Sequence, residues 1–301
     1  MEIPSRGWWQ IARRVKQQIR RDRLSIIAAG VAFYGLLAVF PGLVALVALY
    51  GLVADPALAE KHAAALSSML PPEAAQVLTT QLHDLTATDQ TALGIGAVGG
   101  LLLALWSASS AVRTLIEALN VAYDEEERRG MIAFYGTALL LTFGGVLLVV
   151  AAMLLVVGLP AVLKLIGLDW LVETMVSLAR WPILAALAIA AFAVLYRFGP
   201  SRTQARWRWV SWGAAVAVAM WLIGSALFSL YVTRFGNYNE TYGAAGAIVI
   251  LLMWFLLSSY AILIGAEINA EMERQTRKDT TAGRDKPMGA RGAYAADTVG
   301  E

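Results

Sequence analysis

The chain has 301 residues, of which 58% are hydrophobic and only 15% charged, with 24 basic residues, 22 acidic residues and no cysteine. An ordinary soluble domain carries about 25% charged residues, so this composition argues against a soluble protein and indicates an integral membrane protein. The lack of cysteine excludes disulfide frameworks, thiol nucleophiles and cysteine-based metal sites.

Residues 1–23 are predicted to form a basic amphipathic segment lying in the membrane interface. Apolar side chains such as Trp8, Ile11 and Val15 interleave with arginines and a lysine, which is typical of an interfacial helix. A nucleic-acid-binding arm is the alternative, but the placement of basic residues by membrane topology already explains the charge, so no nucleic acid partner is predicted. The apolar run that follows is about twice as long as a signal-peptide core, which indicates an uncleaved first span.

Six long stretches with few charges predict six transmembrane helices. A spanning helix needs about 20 predominantly apolar residues, and the sequence lacks the ten-residue alternation of a membrane barrel. The fourth stretch is short, and we expect Arg180 and Arg197 to snorkel from its ends, with Pro182 in its first turn. The predicted fold is therefore an all-α polytopic membrane protein whose transmembrane domain covers 24–272, with spans at about 26–53, 92–117, 132–158, 180–197, 210–233 and 243–267.

The basic residues are distributed unequally between the two sides of this arrangement. With six spans, 20 of the 24 lysines and arginines fall on the side of the two termini. Basic residues favour the cytoplasmic side of a membrane. Both termini are therefore predicted to be cytoplasmic.

The segments outside the spans have distinct predicted structures. Residues 55–90 form an outer loop with apolar residues at helical spacing on both sides of Pro71 and Pro72, which predicts a small helical hairpin. The tail at 273–301 is rich in Gly, Ala, Thr and mixed charge without a periodic apolar pattern, so we expect it to be disordered.

No motif in the sequence predicts catalysis. The two histidines, His62 and His83, lie 21 residues apart, which is not the spacing of a known metal site. The phosphate-binding GxxxxGK[ST] loop and the serine nucleophile elbow are also missing. The expectation is a non-enzymatic protein without a catalytic residue, metal or cofactor.

Polar residues near the ends of two spans suggest a cytoplasmic vestibule. In the second span Arg113 and Glu117 share a helix face, and near the end of the sixth Glu267 and Asn269 recur among apolar residues. Ionisable residues at membrane depth usually line an interior or a cavity. We hypothesise that the two sets face each other, with Tyr34 in the same cavity; two helix ends that simply emerge into water are the alternative.

Helix shape and turns provide two further candidates. Pro41 and Gly42 lie near the middle of the first span, where proline removes a backbone hydrogen bond and predicts a kink. The outer connection RFGNYNETYG between spans five and six predicts a capping turn or an outer gate, through Asn237, Tyr238, Asn239, Thr241 and Tyr242. Gly96 and Gly100 have GxxxG spacing, which allows close helix packing within the chain or between copies in a homo-oligomer.

Several ordered motifs together resemble the YihY/BrkB family of bacterial inner-membrane proteins. They are AAGVAFYGLLAVFPGL, NVAYDEEERRG, RFGP, FGNYNETYGAAGAIVILLMW and GAEINAEMER, and they run from about Arg20 to Arg274. The resemblance implies a multi-pass protein of the bacterial inner (plasma) membrane. The family takes its name from a virulence factor linked to serum resistance, and some members are implicated in lipid or lipopolysaccharide handling. Members also carry the old label ribonuclease BN, which these residues do not support.

The sequence therefore favours a membrane protein that contacts membrane lipids and transports or flips a lipidic or amphiphilic solute in envelope homeostasis. The alternative is a non-transporting protein that supports envelope assembly through helix packing. An open cavity would favour transport, whereas a tightly packed bundle would favour the structural role.

Overall fold

The computed structural model describes residues 5–53, 90–159, 170–235 and 238–300, and within these ranges the chain is almost entirely helical. A π-helical turn, Leu154–Gly158, continues the fourth helix. An isolated β-bridge joins Ala205 to Thr281, and no strand occurs in the described ranges. The helices are α1 (Ser5–Arg21), α2 (Leu24–Val53), α3 (Gln90–Ala122), α4 (Met131–Met153), α5 (Trp170–Phe198), α6 (Trp207–Phe235), α7 (Tyr238–Arg274) and α8 (Tyr294–Asp297).

The helices account for the predicted spans. Within the described ranges, five helices are long and apolar enough to cross a membrane. A sixth span is counted if Gly7–Arg21 and Leu24–Val39, which meet at 67°, are one broken span. Arg23 at this bend has a positive φ of 50°, a conformation that ends a helix and is uncommon for a residue with a side chain. The predicted class, an all-α polytopic membrane protein, is confirmed.

The fourth span is longer than the sequence indicated. Helix α5 has 29 residues and begins at Trp170, so Pro182 lies well inside it and not in its first turn. The prediction was wrong because it ended the span at Arg180, the first charge it met. Single charged residues such as Glu173 and Arg180 do not interrupt a helix, because the backbone hydrogen bonds of a helix are formed within the segment and do not involve the side chains.

Small residues bring α5, α6 and α7 close together in the core. A Cβ on Gly265 of α7 would lie 2.7 Å from the Cβ of Ala217 on α6 and 2.7 Å from the carbonyl oxygen of Gly213. The Tyr196 hydroxyl of α5 donates a 2.7 Å hydrogen bond to the Ile262 carbonyl of α7. Small residues at such crossings let helix backbones approach closely.

The tail is packed and not disordered, contrary to the prediction. Its backbone pairs with the α5–α6 connection: the amides of Thr203 and Arg206 donate to the carbonyls of Gly292 and Thr280, at 2.9 Å each. Arg291 is 4% exposed and donates to four carbonyl oxygens of the tail. A search for apolar periodicity missed this segment because backbone pairing and a buried arginine hold it.

Several predicted features lie wholly or partly outside the described residues. The outer hairpin at 55–90 and Asn237 belong to this group. Residues 238–242 form the start of α7, but only their backbone is described. Pro41 lies inside α2, which is helical on both sides of it; the kink at Pro41 and Gly42 stays a prediction.

Candidate functional site

Two connections of the bundle and the end of its longest described helix meet at one end, which we call the basic end. It contains the α3–α4 connection, the α5–α6 connection and the C-terminal end of α7, together with α1 and the tail. The Ser201 amide donates to Asn120 Oδ1 at 2.7 Å, and Arg129 Nη2 donates to the Gly199 carbonyl at 2.8 Å. These bonds join NVAYDEEERRG and RFGP, two motifs that are about 70 residues apart.

Glu127 organises the α3–α4 connection. It forms a 2.7 Å ion pair with Arg129 and accepts a 3.0 Å hydrogen bond from Asn120 Nδ2. Partial burial raises the pKa of Glu127, but the hydrogen bonds and charge of Arg129 outweigh it and lower the pKa to about 2. Glu127 is therefore ionised at neutral pH and holds Arg129 against the end of α5.

A buried ion pair joins the α5–α6 connection to α7. Arg202 Nη2 lies 2.6 Å from Glu273 Oε2, and both side chains are at most 1% exposed. The guanidinium stacks over the Tyr123 ring at 5.0 Å, and Thr280 of the tail donates to Glu273 at 2.6 Å. Arg202 Nη1, Glu273 Oε1 and the Tyr123 hydroxyl are buried without a hydrogen-bond partner.

A second charged network fastens α1 to α7. Arg14 pairs with Glu271, which also accepts a 2.9 Å hydrogen bond from Arg274. Gln18 donates to Asp124 at 3.3 Å. The interfacial position of α1 stays a prediction from the sequence, and the structure adds that its polar face contacts the end of α7.

The structure does not assemble the predicted vestibule. Arg113 bonds to the Trp106 carbonyl and Ser109 Oγ within α3, and its guanidinium lies 5.1 Å from the centre of the Tyr135 ring on α4. Neither carboxylate oxygen of Glu267 has a hydrogen-bond partner, so the hypothesised pairing with Arg113 does not form. The reason is rotational: α3 presents Arg113 to α4 and not to α7.

The other predicted vestibule residues also lie apart. Glu117 is exposed, and Tyr34 is 43% exposed. Asn269 is fully buried and serves packing, since its Oδ1 accepts a 2.8 Å hydrogen bond from the Gly213 amide. Glu267 is 1% exposed. The charged groups with which it interacts electrostatically are the carboxyl groups of Asp22, Glu271 and Asp124.

A large open groove of about 1140 Å³ lies between α3, α4 and α5. Its walls within the bundle are apolar, and its basic end is lined by four arginines, Glu125 and small polar residues. Tyr34, Arg113 and Glu267 are not among the residues that line it. The lining comes mainly from α4 (Thr137, Leu140, Leu141, Phe143, Gly144, Gly145, Leu148), α5 (Leu187, Ala190, Ala191, Phe192, Val194, Leu195, Arg197, Phe198) and the connections (Glu125, Arg128, Arg129, Pro200, Ser201, Arg202, Thr203, Gln204).

The groove extends along about half the thickness of a bilayer. It covers residues 137–148 of α4 and 187–198 of α5. At about 1.5 Å per residue, each of these segments is roughly 16 Å long. The hydrocarbon core of a bilayer is about 30 Å thick, so the groove corresponds in depth to one leaflet.

Comparison with known proteins identifies the family. The family model for "Virulence factor BrkB" matches residues 15–289, nearly the whole chain. The chain belongs to the BrkB virulence factor family. The match includes the groove residues 112–204 and, apart from Arg14, the charged networks of the basic end.

Individual relatives agree with this membership. A putative ribonuclease-like protein, YfkH, of Bacillus subtilis is 36% identical over 59% of this chain and 66% of its own length. A UPF0761 membrane protein of Idiomarina loihiensis is 31% identical over 69% of this chain and 71% of its own. One from Photobacterium profundum is 28% identical over 89% of this chain and 82% of its own. No solved structure matches the chain.

Charges at the basic end of the groove are unevenly compensated. Glu127 neutralises Arg129, and Glu273 neutralises Arg202. Arg197 donates to the Ala205 carbonyl and to Gln204. Within the described ranges no carboxylate forms an ion pair with Arg128 or Arg197. Among the described residues, Glu125 is the one acid that lines the groove. Burial raises the pKa of its carboxyl group, against the opposing effects of the Tyr294 amide and nearby arginines.

Side chains that could bind a metal do not cluster in the described part of the chain. No group of three or more histidine, aspartate or glutamate side chains there could hold a metal ion. Both histidines, His62 and His83, lie outside the described ranges.

Sequence reasoning missed the groove but quoted the residues at its basic end. Arg128 and Arg129 belong to NVAYDEEERRG, and Arg197 belongs to RFGP. Adjacent Gly144 and Gly145 in the third span were the available signal for its apolar part. They were not singled out because glycine is common in membrane helices and usually marks close packing. Here a Cβ on either would meet no atom within 4 Å.

Proposed function

We propose that this protein binds a lipidic amphiphile in the groove between α3, α4 and α5, and transports or flips it in the inner membrane. The observation that carries the proposal is the groove itself, which combines apolar walls at membrane depth with a cationic end. A hydrocarbon chain can bury apolar area along α4 and α5. Its polar head can lie among the arginines and hydroxyl groups.

The weak packing of α4 supports a route for the ligand from the bilayer. Helix α4 packs more extensively against α3 than against α5. Leu140 and Phe143 at the groove are 71% and 41% exposed. A lipid could therefore enter between α4 and α5 without leaving the hydrocarbon region. A tightly packed assembly factor would not need such an opening, which favours transport over the structural alternative.

We further propose that both termini are cytoplasmic and that the chain catalyses no reaction. The concentration of arginines at the basic end supports this orientation, since basic residues are retained on the cytoplasmic side. In the groove, Arg129 and Arg202 are engaged in structural ion pairs. The substrate would accordingly be moved and not chemically changed.

The proposal is tested by filling the groove with a side chain. Gly144→Leu introduces a side chain at a groove position where a Cβ meets no atom within 4 Å. We expect purified wild-type protein in liposomes to accelerate the movement of fluorescent phospholipids between leaflets. The Gly144→Leu protein should lose most of that acceleration, measured by dithionite quenching.

The matched control is Gly136→Leu. Gly136 lies on the same helix, has equally free space around a Cβ and does not line the groove. We expect Gly136→Leu to behave as wild type. If wild-type protein moves no lipid, or if both variants are equally active, the groove is not a transport route and the structural alternative is favoured.

A further inference from the structure

We infer that the groove is selective for lipids with an anionic, phosphate-type headgroup, taken from the leaflet at the basic end. This inference rests on the proposed function, because it names the substrate class of the same groove. It goes further by assigning headgroup recognition to the guanidinium groups of Arg128 and Arg197.

The first argument is unmet hydrogen-bonding capacity. Arg197 lines the groove, and its guanidinium Nε has no hydrogen-bond partner among the described residues. Leaving such a donor unsatisfied destabilises the folded protein, so native proteins rarely do so. A ligand rich in acceptor oxygens at this end would remove that cost.

The second argument is charge. Within the ranges that the structure describes, four arginines and one glutamate line the basic end, and two of these arginines, Arg129 and Arg202, form ion pairs with carboxylates. A zwitterionic headgroup would bring its own cation next to this surplus. An anionic headgroup would compensate the surplus without a competing charge.

The third argument is pre-organisation. The Arg197 guanidinium lies 4.6 Å from the centre of the Trp207 ring and donates to the Ala205 carbonyl. The Arg202 guanidinium is fixed by Glu273 and the Tyr123 ring. Rigid, planar guanidinium groups match phosphate oxygens better than ammonium groups do. Arg128 is exposed at the same end and is the cation left free to adapt to the ligand.

The length of the groove indicates from which leaflet the lipid comes. Its apolar walls extend from the arginines over roughly 16 Å, about the depth of one leaflet. A phosphate at the arginines therefore places the acyl chains along α4 and α5 within the leaflet nearest the basic end. The opposite leaflet lies beyond Leu148 and Leu187.

The test compares the binding of two lipids with the same acyl chains. Phosphatidylglycerol and phosphatidylethanolamine are titrated into detergent-purified protein, and bound lipid is counted by native mass spectrometry. We expect wild-type protein to prefer phosphatidylglycerol by about tenfold, the ratio that corresponds to one charge-assisted hydrogen bond. Arg128→Gln should remove most of this preference.

Arg208→Gln is the matched control, since Arg208 is an exposed arginine at the same end that does not line the groove. It should keep the preference to within about twofold, well under the tenfold expected for a lost charged contact. Soluble glycerol 3-phosphate, which has the anionic group without acyl chains, should not displace the lipid. Equal binding of the two lipids, equal losses in both variants, or displacement by glycerol 3-phosphate would each overturn the inference.

Binding and movement separate this inference from the proposed function. If Gly144→Leu slows lipid movement while the two lipids bind alike, the transport proposal stands and the headgroup assignment fails. If an Arg128-dependent preference is found and no lipid moves, the headgroup assignment stands and the transport proposal fails.

Discussion

At the scale of single residues, two glycines determine how closely α6 and α7 pack. Gly213 and Gly265 lie opposite each other, and a Cβ on Gly265 would come within 2.7 Å of Ala217 Cβ. That distance is far shorter than the usual contact of about 3.5–4.0 Å between carbon atoms. The two helices would have to move apart to accept even one methyl group, which would also disturb the Asn269 hydrogen bond to the Gly213 amide.

Gly265→Ala is therefore expected to destabilise the protein. Overpacking of this kind typically costs about 1–3 kcal/mol, which thermal unfolding in detergent should detect as a lower midpoint. Gly30→Ala is the control, because a Cβ there meets no atom within 4 Å and alanine favours a helix interior by roughly 0.5–1 kcal/mol. Equal midpoints for the two variants would contradict the close packing.

The buried pair of Arg202 and Glu273 makes a second prediction at this scale. Arg202→Met leaves the Glu273 carboxylate buried with only the Thr280 hydroxyl as a donor, and breaking a buried pair from one side costs about 3–5 kcal/mol. The double variant Arg202→Met, Glu273→Met removes both charges and should recover much of that loss. Chemical denaturation of the three proteins measures it, and a double variant less stable than Arg202→Met would rule out the coupling.

At the scale of elements, the tail and the α5–α6 connection form one structure. Backbone hydrogen bonds link them on both sides of the Ala205 to Thr281 bridge. Tyr294 at the start of α8 donates its amide to Glu125 at 2.7 Å, and Gly292 lines the groove. The tail therefore closes the basic end of the groove, and its own conformation depends on Arg291.

Arg291→Ala should loosen this element. The side chain donates to the carbonyls of Arg277, Lys278, Lys286 and Ala296, and without these bonds the tail loses its internal support. We expect faster hydrogen exchange at the amides of Thr203, Arg206 and Ala282, which bond across the interface. Arg284→Ala, at an exposed tail position, should leave these rates unchanged; faster exchange in both variants would point to a general effect of charge.

At the scale of the whole molecule, the charged networks and the open groove lie at the same end. Arg14 with Glu271 and Arg202 with Glu273 tie separate elements together there, and Arg129, held by Glu127, bonds to the Gly199 carbonyl after α5. Helix α4 packs less extensively against α5 than against α3, which leaves the groove between α4 and α5. The molecule is thus firmly joined at its basic end and open toward the bilayer along one side.

The orientation of the molecule is testable because the natural chain has no cysteine. Arg284→Cys places a single thiol in the tail, and Asp89→Cys places one at the end of the predicted outer loop. With both termini in the cytoplasm, a membrane-impermeant maleimide should label intact cells at residue 89 but reach residue 284 only after permeabilisation. The reverse pattern would invert the topology.

Much of the fold could be predicted from the sequence, whereas the candidate site could not. Length and hydrophobicity are local properties, so the stretches around 132–158 and 210–233 already predicted long apolar helices, which the structure contains as α4 and α6. To predict whether Arg113 pairs with Glu267, one must know how α3 is rotated relative to α7. That rotation depends on contacts between side chains far apart in the chain. The tail was missed for a similar reason, because its partners lie about 80 residues earlier.

By itself, the sequence determined that this chain is an all-α membrane protein, because burying about 20 apolar residues in hydrocarbon leaves a helix as the solution that satisfies every backbone group. Its motifs also indicated the family to which the chain belongs. Only the tertiary structure decided which polar residues meet and where space is left between helices. Both depend on the rotation and spacing of the helices, which are set by contacts between small residues across the bundle, such as Gly213 with Gly265. No local pattern in the sequence encodes this rotation and spacing.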